Sequence, residues 1–473
     1  MNLLAIAPEA ALVTLALVII LLDLVLRNKT TLATVAMVGL VVPAGLTLVL
    51  WNQQGSFLDA LAIDPFSFFF KLFFLGIALL SLLAAVEYSD RFPRYRGEFF
   101  ALMLTAVAGM MLLSSATELM TTFISLELMS ISFYGLAGFL KDQKSTEASV
   151  KYLLLGALSS AVLLYGMALF YGLTGQTTYQ AIAQQLGVPQ APDRAVLLLA
   201  LALIIAGFGF KVSAVPFQMW TPDVYEGAPT PITALLSVGS KAAAFAAVLR
   251  FFWLALPPDF PIDWTVLWVA LAVITMLFGN IAALVQTNIK RMLAYSSIGQ
   301  AGYMLLGLAV PTEFGRSAVI FYLLAYALTN LGAFAAVIAI SNRTNSDEIS
   351  SYNGMARRAP FLAAALTLCL VSLTGLPPTA GFFAKFYLFS AAVQVGLAWV
   401  VVIAVLTSAI SAYFYLRVVR AMYLLPAEEE SPVAAAAPTL AAVAVATAGV
   451  VIVFLLANPL IGLSDIASRT LGP

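Results

Sequence analysis

Lys211, Lys241 and Lys385 lie inside long apolar runs, and Glu127 lies inside another. At a helix centre in lipid each such lysine costs about 2.5–3.5 kcal/mol on insertion scales. Charges kept at that cost point to a task. An amine or a carboxylate at bilayer depth can bind and release a proton. A low-dielectric site favours the neutral amine, and a nearby carboxylate favours the ammonium. The chemistry open to this set is reversible protonation, used to move protons or another cation through a membrane. Glu127, in ISLELMSISF, has no local partner, so Lys211 on another helix is its expected counter-ion.

Two of the lysines stand beside broken helices. Pro216 follows Lys211 by five residues in FKVSAVPFQMW, and Gly375, Pro377, Pro378 and Gly381 precede Lys385 in SLTGLPPTAGFFAKF. Proline removes a backbone donor and crowds the preceding turn, which frees carbonyls that polar groups must satisfy. Paired interruptions in corresponding halves of a chain point to a transport site built on inverted repeats. Asp223, Glu226 and three more prolines make a polar interval after the first break.

The elements that position these residues follow from composition. The chain has 473 residues, 62% hydrophobic and 10% charged, with zero net charge. A soluble domain averages roughly 25% charged residues, so lipid is the solvent. Each crossing needs about 20 residues. The expected fold is all-α integral membrane with fourteen helices, near 3–26, 30–51, 62–87, 97–115, 118–140, 148–174, 195–220, 229–256, 265–287, 289–310, 315–342, 360–393, 395–424 and 436–461. The seventh and twelfth are the broken ones. Their spacing implies two inverted five-helix repeats, 97–256 and 265–424, in one membrane domain. Three N-terminal helices (1–96) precede the repeats, and a fourteenth helix (436–461) follows.

With both termini outside, fifteen cations fall on the cytoplasmic side: Arg27, Lys29, Arg91, Arg94, Arg96, Lys141, Lys144, Lys151, Lys290, Arg291, Arg343, Arg357, Arg358, Arg417 and Arg420. Arg194, Arg316 and Arg469 fall outside, as the positive-inside rule requires. Arg250 is expected to snorkel from a helix end, and Lys71 has either a transport or a structural role. Asp23 with Arg27, Glu87 with Arg91 and Glu147 with Lys151 have the i,i+4 spacing of helix-end ion pairs. Glu118 is expected to open the fifth helix. Cys369 is the only cysteine and histidine is absent. Imidazole ligation of metal or haem is thereby excluded, and no cysteine cluster or Rossmann fingerprint offers a redox site.

The stretches 215–241, VPFQMWTPDVYEGAPTPITALLSVGSK, and 288–307, NIKRMLAYSSIGQAGYMLLG, resemble the N-subunit family of the proton-pumping NADH–quinone oxidoreductase, respiratory complex I. So does 352–389, which spans the second break. The resemblance implies an antiporter-like fold and a proton channel through Glu127, Lys211, Lys241 and Lys385. It also implies M-type and small K/J-type subunits as partners in the cell inner membrane. NADH, FMN, iron–sulfur clusters and quinone would reside in partner subunits, with no cofactor here. Gln218 stands where many relatives have His, and Gln300 where some do, so Ser237, Ser240, Tyr295 and Ser296 are expected to carry the water chains instead. The chain runs only about twelve residues past the last span, without the lateral helix that an L-type subunit would require. A Mrp-type Na+/H+ antiporter subunit, a stand-alone cation-coupled transporter and a structural scaffold are the alternative readings.

Overall fold

The computed structural model describes residues 3–26, 30–51, 53–187, 193–257, 260, 262–427 and 431–472. Arg27 and Lys29, and with them the expected Asp23–Arg27 pair, lie outside the described residues. The helices are α1 (Ala7–Val25), α2 (Thr30–Gly39), α3 (Val41–Val49), α4 (Pro65–Tyr88), α5 (Arg96–Ser115), α6 (Leu119–Ala137) and α7 (Gln143–Thr174). Next come α8 (Tyr179–Leu186), α9 (Arg194–Val212), α10 (Trp220–Gly227), α11 (Thr230–Leu235), α12 (Lys241–Leu254), α13 (Thr265–Ala283) and α14 (Ile289–Leu308). The last are α15 (Glu313–Thr344), α16 (Met355–Arg358), α17 (Pro360–Thr374), α18 (Ala380–Gln394), α19 (Ala398–Leu424), α20 (Ala437–Leu455) and α21 (Ala457–Arg469). A short antiparallel hairpin, β1 (Gly55–Phe57) with β2 (Leu61–Ile63), precedes α4 and was not expected.

Twelve helical stretches among the described residues are long and apolar enough to cross a membrane. They fall on twelve of the fourteen expected spans. The expected span 289–310 coincides with α14, whose 20 residues are more polar, and 360–393 divides into α17 and α18 of 15 residues each. The chain is a multi-pass, all-α membrane protein. Backbone groups in lipid have no water to turn to, and helices satisfy them internally.

Burial sorts the helices. The most apolar stretch of α11 and α12 is wholly buried and that of α15 is 89% buried, against 33% for α1, α7 and α19. Lys241 therefore sits on the central helix, and side chains such as Leu24, Leu154, Leu158 and Leu424 face outward. Close helix crossings rest on small residues. A Cβ on Gly109 would fall 2.7 Å from the Met129 nitrogen, and one on Gly279 would fall 2.4 Å from that of Gly299.

Both breaks end in a left-handed residue, Ser213 (φ 65°) at the end of α9 and Gly375 (φ 90°) at the end of α17. The freed groups of the first break find partners. Trp220 Nε1 donates to the Phe210 carbonyl at 2.9 Å, and the Val215 amide donates to Thr275 Oγ1 at 3.0 Å. Leu236–Ser240, between α11 and α12, is a π-helical turn.

Two expected charge placements need correction. Arg250 does not snorkel: it is fully buried and doubly bonded to Asp64, with Nη1–Oδ2 at 2.8 Å and Nη2–Oδ1 at 2.7 Å. It also donates to the Ser114 carbonyl and lies over the Phe66 ring. A guanidinium with three acceptor contacts and an aromatic face gains more from that site than from the interface. Glu87 pairs with Arg343 at 2.9 Å, while Arg91 donates to Asn342 and covers the Tyr88 ring. Glu9, in the first turn of α1, is a second buried acid, only 2% exposed and paired with Lys71. Glu147 and Lys151 do pair, at 2.7 Å, and Glu118 does open α6, where its carboxylate accepts from the Thr121 amide.

Candidate functional site

Lys211 occupies the last turn of α9, 1% exposed. Its Nζ donates to Ser130 Oγ of α6 at 2.7 Å. The rings of Tyr134, Tyr152 and Phe210 surround it at 5.5–5.6 Å from their centroids, a cation–π cage that offsets part of the lost hydration. Trp220 stacks on Tyr152 at 4.6 Å and so folds the second half of the broken helix back over this cage.

Glu127 and Ser130 are three residues apart on α6 and share a face. The direct Glu127–Lys211 ion pair expected from the sequence is absent. Glu127 instead accepts a hydrogen bond from Ser160 of α7, and the Ser130 and Ser160 hydroxyls stand as separate partners of lysine and carboxylate. Tyr134 lies close by, its hydroxyl buried without a hydrogen-bond partner. A Cβ on Gly156 would fall 2.1 Å from that hydroxyl, so the glycine is what makes room for it. Ser130, Ser160 and Tyr134 escaped the sequence reading. The i,i+3 spacing of Glu127 and Ser130 was the available signal.

Lys241, at the start of α12, donates to both the carbonyl (2.8 Å) and the hydroxyl of Ser297 on α14. Tyr326 of α15 donates to the same hydroxyl at 2.8 Å, and Asn330 holds Ser237 at 2.6 Å. Lys385, on α18, donates to the Thr374 carbonyl at 2.9 Å and to Ser408 Oγ at 2.7 Å, beneath the Tyr303 ring at 4.5 Å. Thr374 is the last residue of α17, so this carbonyl is one that the second break sets free.

Between these two lysines the polar side chains interlock. Gln300 donates to the Leu373 carbonyl at 2.9 Å and accepts from Tyr322 at 2.5 Å. Thr329 and Ser372 join at 2.9 Å. A cavity of about 10 Å³ lies among Gln300, Tyr322, Tyr326, Thr329 and Ser372, about the volume that one water needs by such a measure. Gln218 carries a buried, unpartnered carbonyl oxygen beside the first break. Of the other hydroxyls expected here, Ser237 joins the Lys241 cluster, Ser296 bonds Tyr415, and Ser240 is buried without a partner. Tyr295 is half-buried under Arg291 and lies apart from them.

Asp223 of α10 joins Lys151 of α7 and Arg291 of α14, each at 2.8 Å. Partial burial alone would raise its carboxyl, but these two hydrogen bonds outweigh that and hold it below the usual carboxylate range. The loop half of the first break is thereby clamped to the helices on both sides. No group of three or more His, Cys, Asp or Glu among the described residues could hold a metal ion.

This arrangement has counterparts. Residues 116–411 match the family described as NADH:quinone oxidoreductase/Mrp antiporter, TM. A relative named NADH-quinone oxidoreductase subunit N, from Trichlorobacter lovleyi, is 47% identical over 91% of this chain and 89% of its own. The structure of respiratory complex I from Thermus thermophilus with bound aureothin contains a chain 35% identical. It covers 96% of this chain and 98% of its own, with a TM-score of 0.81. A chain of the Mrp complex from Dietzia sp. DQ12-45-1b, 22% identical with a TM-score of 0.86 over 100% of this chain and 98% of its own, shares the fold. The chain belongs to the NADH:quinone oxidoreductase/Mrp antiporter family, on the branch whose curated members are named NADH-quinone oxidoreductase subunit N.

Proposed function

We propose that this chain translocates protons in the membrane arm of an NADH–quinone oxidoreductase, along Glu127, Lys211, Lys241 and Lys385. One observation carries the reading. The three lysines are at most 5% exposed, each bonds to hydroxyl or carbonyl oxygens, and none has a carboxylate within 4.0 Å among the described residues. A lysine paired to a carboxylate would hold its proton, whereas one solvated by hydroxyls in a low dielectric can release it. Movement of Glu127 relative to Lys211 loads or unloads the first amine. Lys241 passes the proton between the halves, and Lys385 exchanges it with one aqueous side. Electron transfer takes place in partner subunits, which hold NADH, FMN, iron–sulfur clusters and quinone. M-type and small K/J-type subunits flank this chain in the cell inner membrane, with both termini outside.

The reading includes fourteen crossings and two inverted repeats, 97–256 and 265–424. A constant offset supports them. Helices α7 and α15 both have 32 residues, and their bounds, 143 and 313, 174 and 344, differ by the same 170. The backbone bridges Glu118–Thr178 and Asn288–Glu348 repeat that offset, as do the Gly109 and Gly279 crossings. Five crossings per unit make the second unit inverted relative to the first. Likeness to the Mrp complex favours a second reading, sodium–proton exchange.

The test is a complex verified as assembled and reconstituted in vesicles. Lys211→Ala is expected to slow NADH-driven acidification roughly tenfold or more, the scale on which a lost proton-transfer group acts. Glu127→Gln is expected to impair it, with Glu127→Asp retaining part. Full pumping by assembled Lys211→Ala would refute the path, and a sodium requirement would favour the second reading.

A further inference from the structure

Lys290 is a further buried lysine, and the path above does not use it. By sequence it belongs with the cytoplasmic loop cations, yet it is only 4% exposed. The Asn288 carboxamide caps α14 by accepting from the amides of Lys290 and Arg291, and this directs the two side chains apart. Arg291 turns outward to Asp223 and Glu226. Lys290 turns inward, where Nζ donates to the Ala228 carbonyl at 3.0 Å and stands 3.8 Å from Asp347. An ammonium has three donors, so a single backbone acceptor leaves it underused as a brace.

A polar cavity of about 170 Å³ surrounds it, lined by Lys290 with Tyr88, Arg91, Asp142, Lys144, Glu226 and Asp347. The cavity reaches the surface, since the Lys144 side chain is 77% exposed. Asp347, Glu226 and Asp142 favour the ammonium; Arg91, Lys144 and Arg291 oppose it, and Tyr88 is neutral near pH 7. In the other direction, Lys290, Ala294 and Ser297 fall on one face of α14 at i, i+4 and i+7. Seven residues of helix rise only about 10.5 Å, and Ser297 is the residue that holds Lys241. Tyr225 of α10, wholly buried, turns its hydroxyl toward Ser297.

We propose that Lys290 is the residue at which protons leave the aqueous phase for the buried path. Its ammonium gives one proton toward Tyr225, Ser297 and then Lys241. The neutral amine left behind takes one proton from the cavity. The inference rests on the lysine path proposed above and adds its loading group.

The test uses the whole complex in vesicles, with assembly verified. Lys290→Gln can still donate to the Ala228 carbonyl but cannot titrate. It is expected to acidify vesicles roughly tenfold more slowly, and the residual rate should rise as the medium on the cavity side is made more acid. Lys290→Arg keeps the charge and the carbonyl contact, but a guanidinium does not release its proton, so it should be as slow. A brace would behave otherwise, with arginine restoring the rate. Wild-type pumping by Lys290→Arg, or an unchanged rate and pH profile in Lys290→Gln, overturns the proposal; if the glutamine variant fails to assemble, the arginine variant decides. Lys241→Gln run in parallel separates the two levels. If it fails while both Lys290 variants pump normally, only the loading role falls. If it pumps normally, the path beneath falls too.

Discussion

Lys71 and Glu9 meet at 2.9 Å, α4 to α1, with side chains 2% and 3% exposed. The pair explains the one lysine for which sequence left transport and structure equally open. Removing one member of a buried pair strands the other charge and costs about 3–5 kcal/mol, whereas replacing both by apolar groups is often neutral. Lys71→Met alone should therefore lower the thermal stability of the solubilised complex, and Lys71→Met with Glu9→Leu should recover most of it. The double variant is expected to pump near normally. A stable double variant with lost pumping would move Lys71 into the proton path.

Arg250 and Asp64 tie the end of α12 to the start of α4, and the Asp64 carboxylate also caps α4 through the Ser67 amide at 2.7 Å. Burial alone would raise the Asp64 carboxyl, but Arg250 outweighs it and holds the group below its ordinary 3.8. A depressed carboxyl contributes stability that is complete above the unfolded-state value and lost as pH falls through the folded one. Melting scans should accordingly show an acid-side loss beginning near pH 4. Asp64→Asn should flatten that part of the profile and lower stability at neutral pH. An unchanged profile would mean that other carboxylates set the acid limit.

Lys385 has a specific structural rival, because it does donate to the carbonyl freed at Thr374. Glutamine can make that bond but cannot carry a proton. In assembled complex, Lys385→Gln is expected to slow vesicle acidification roughly tenfold. Near-normal acidification would reduce Lys385 to a strut across the second break. Gly375→Ala offers a second approach, since its Cβ would lie 2.7 Å from Lys385 Cδ on a backbone with φ of 90°. It should disturb pumping by displacing the side chain.

Helix positions and the two breaks were legible because apolar length and proline act locally. The partners of charges were much less so. Glu87 and Arg91 have ideal spacing, yet Arg343 from a distant helix takes the carboxylate. Arg250 looked like an interfacial anchor because nothing in its own helix reveals Asp64, 186 residues away in sequence. Glu9 and Lys290 stand near helix ends, where a sequence cannot tell a solvated charge from one turned inward. In the site, the costly lysines announced themselves by depth. The hydroxyls that solvate them are common residues at ordinary helix positions, and only packing shows that Ser130, Ser297 and Ser408 hold the lysines and Ser160 holds Glu127.

The π-helical turn at Leu236–Ser240 holds one residue more than an α-helical turn would. That surplus sets how the central helix tolerates changes in chain length. Losing one residue inside the turn lets it relax to ordinary α-helix, with Lys241 still on Ser297 and Arg250 still on Asp64. Losing one residue from Ala243–Ala247 has no such slack to draw on. Everything beyond would rotate by about 100° and shift by 1.5 Å, swinging Arg250 off its carboxylate. Within the central helix, Leu236–Ser240 is therefore the stretch where a deletion can be absorbed without moving Lys241 or Arg250.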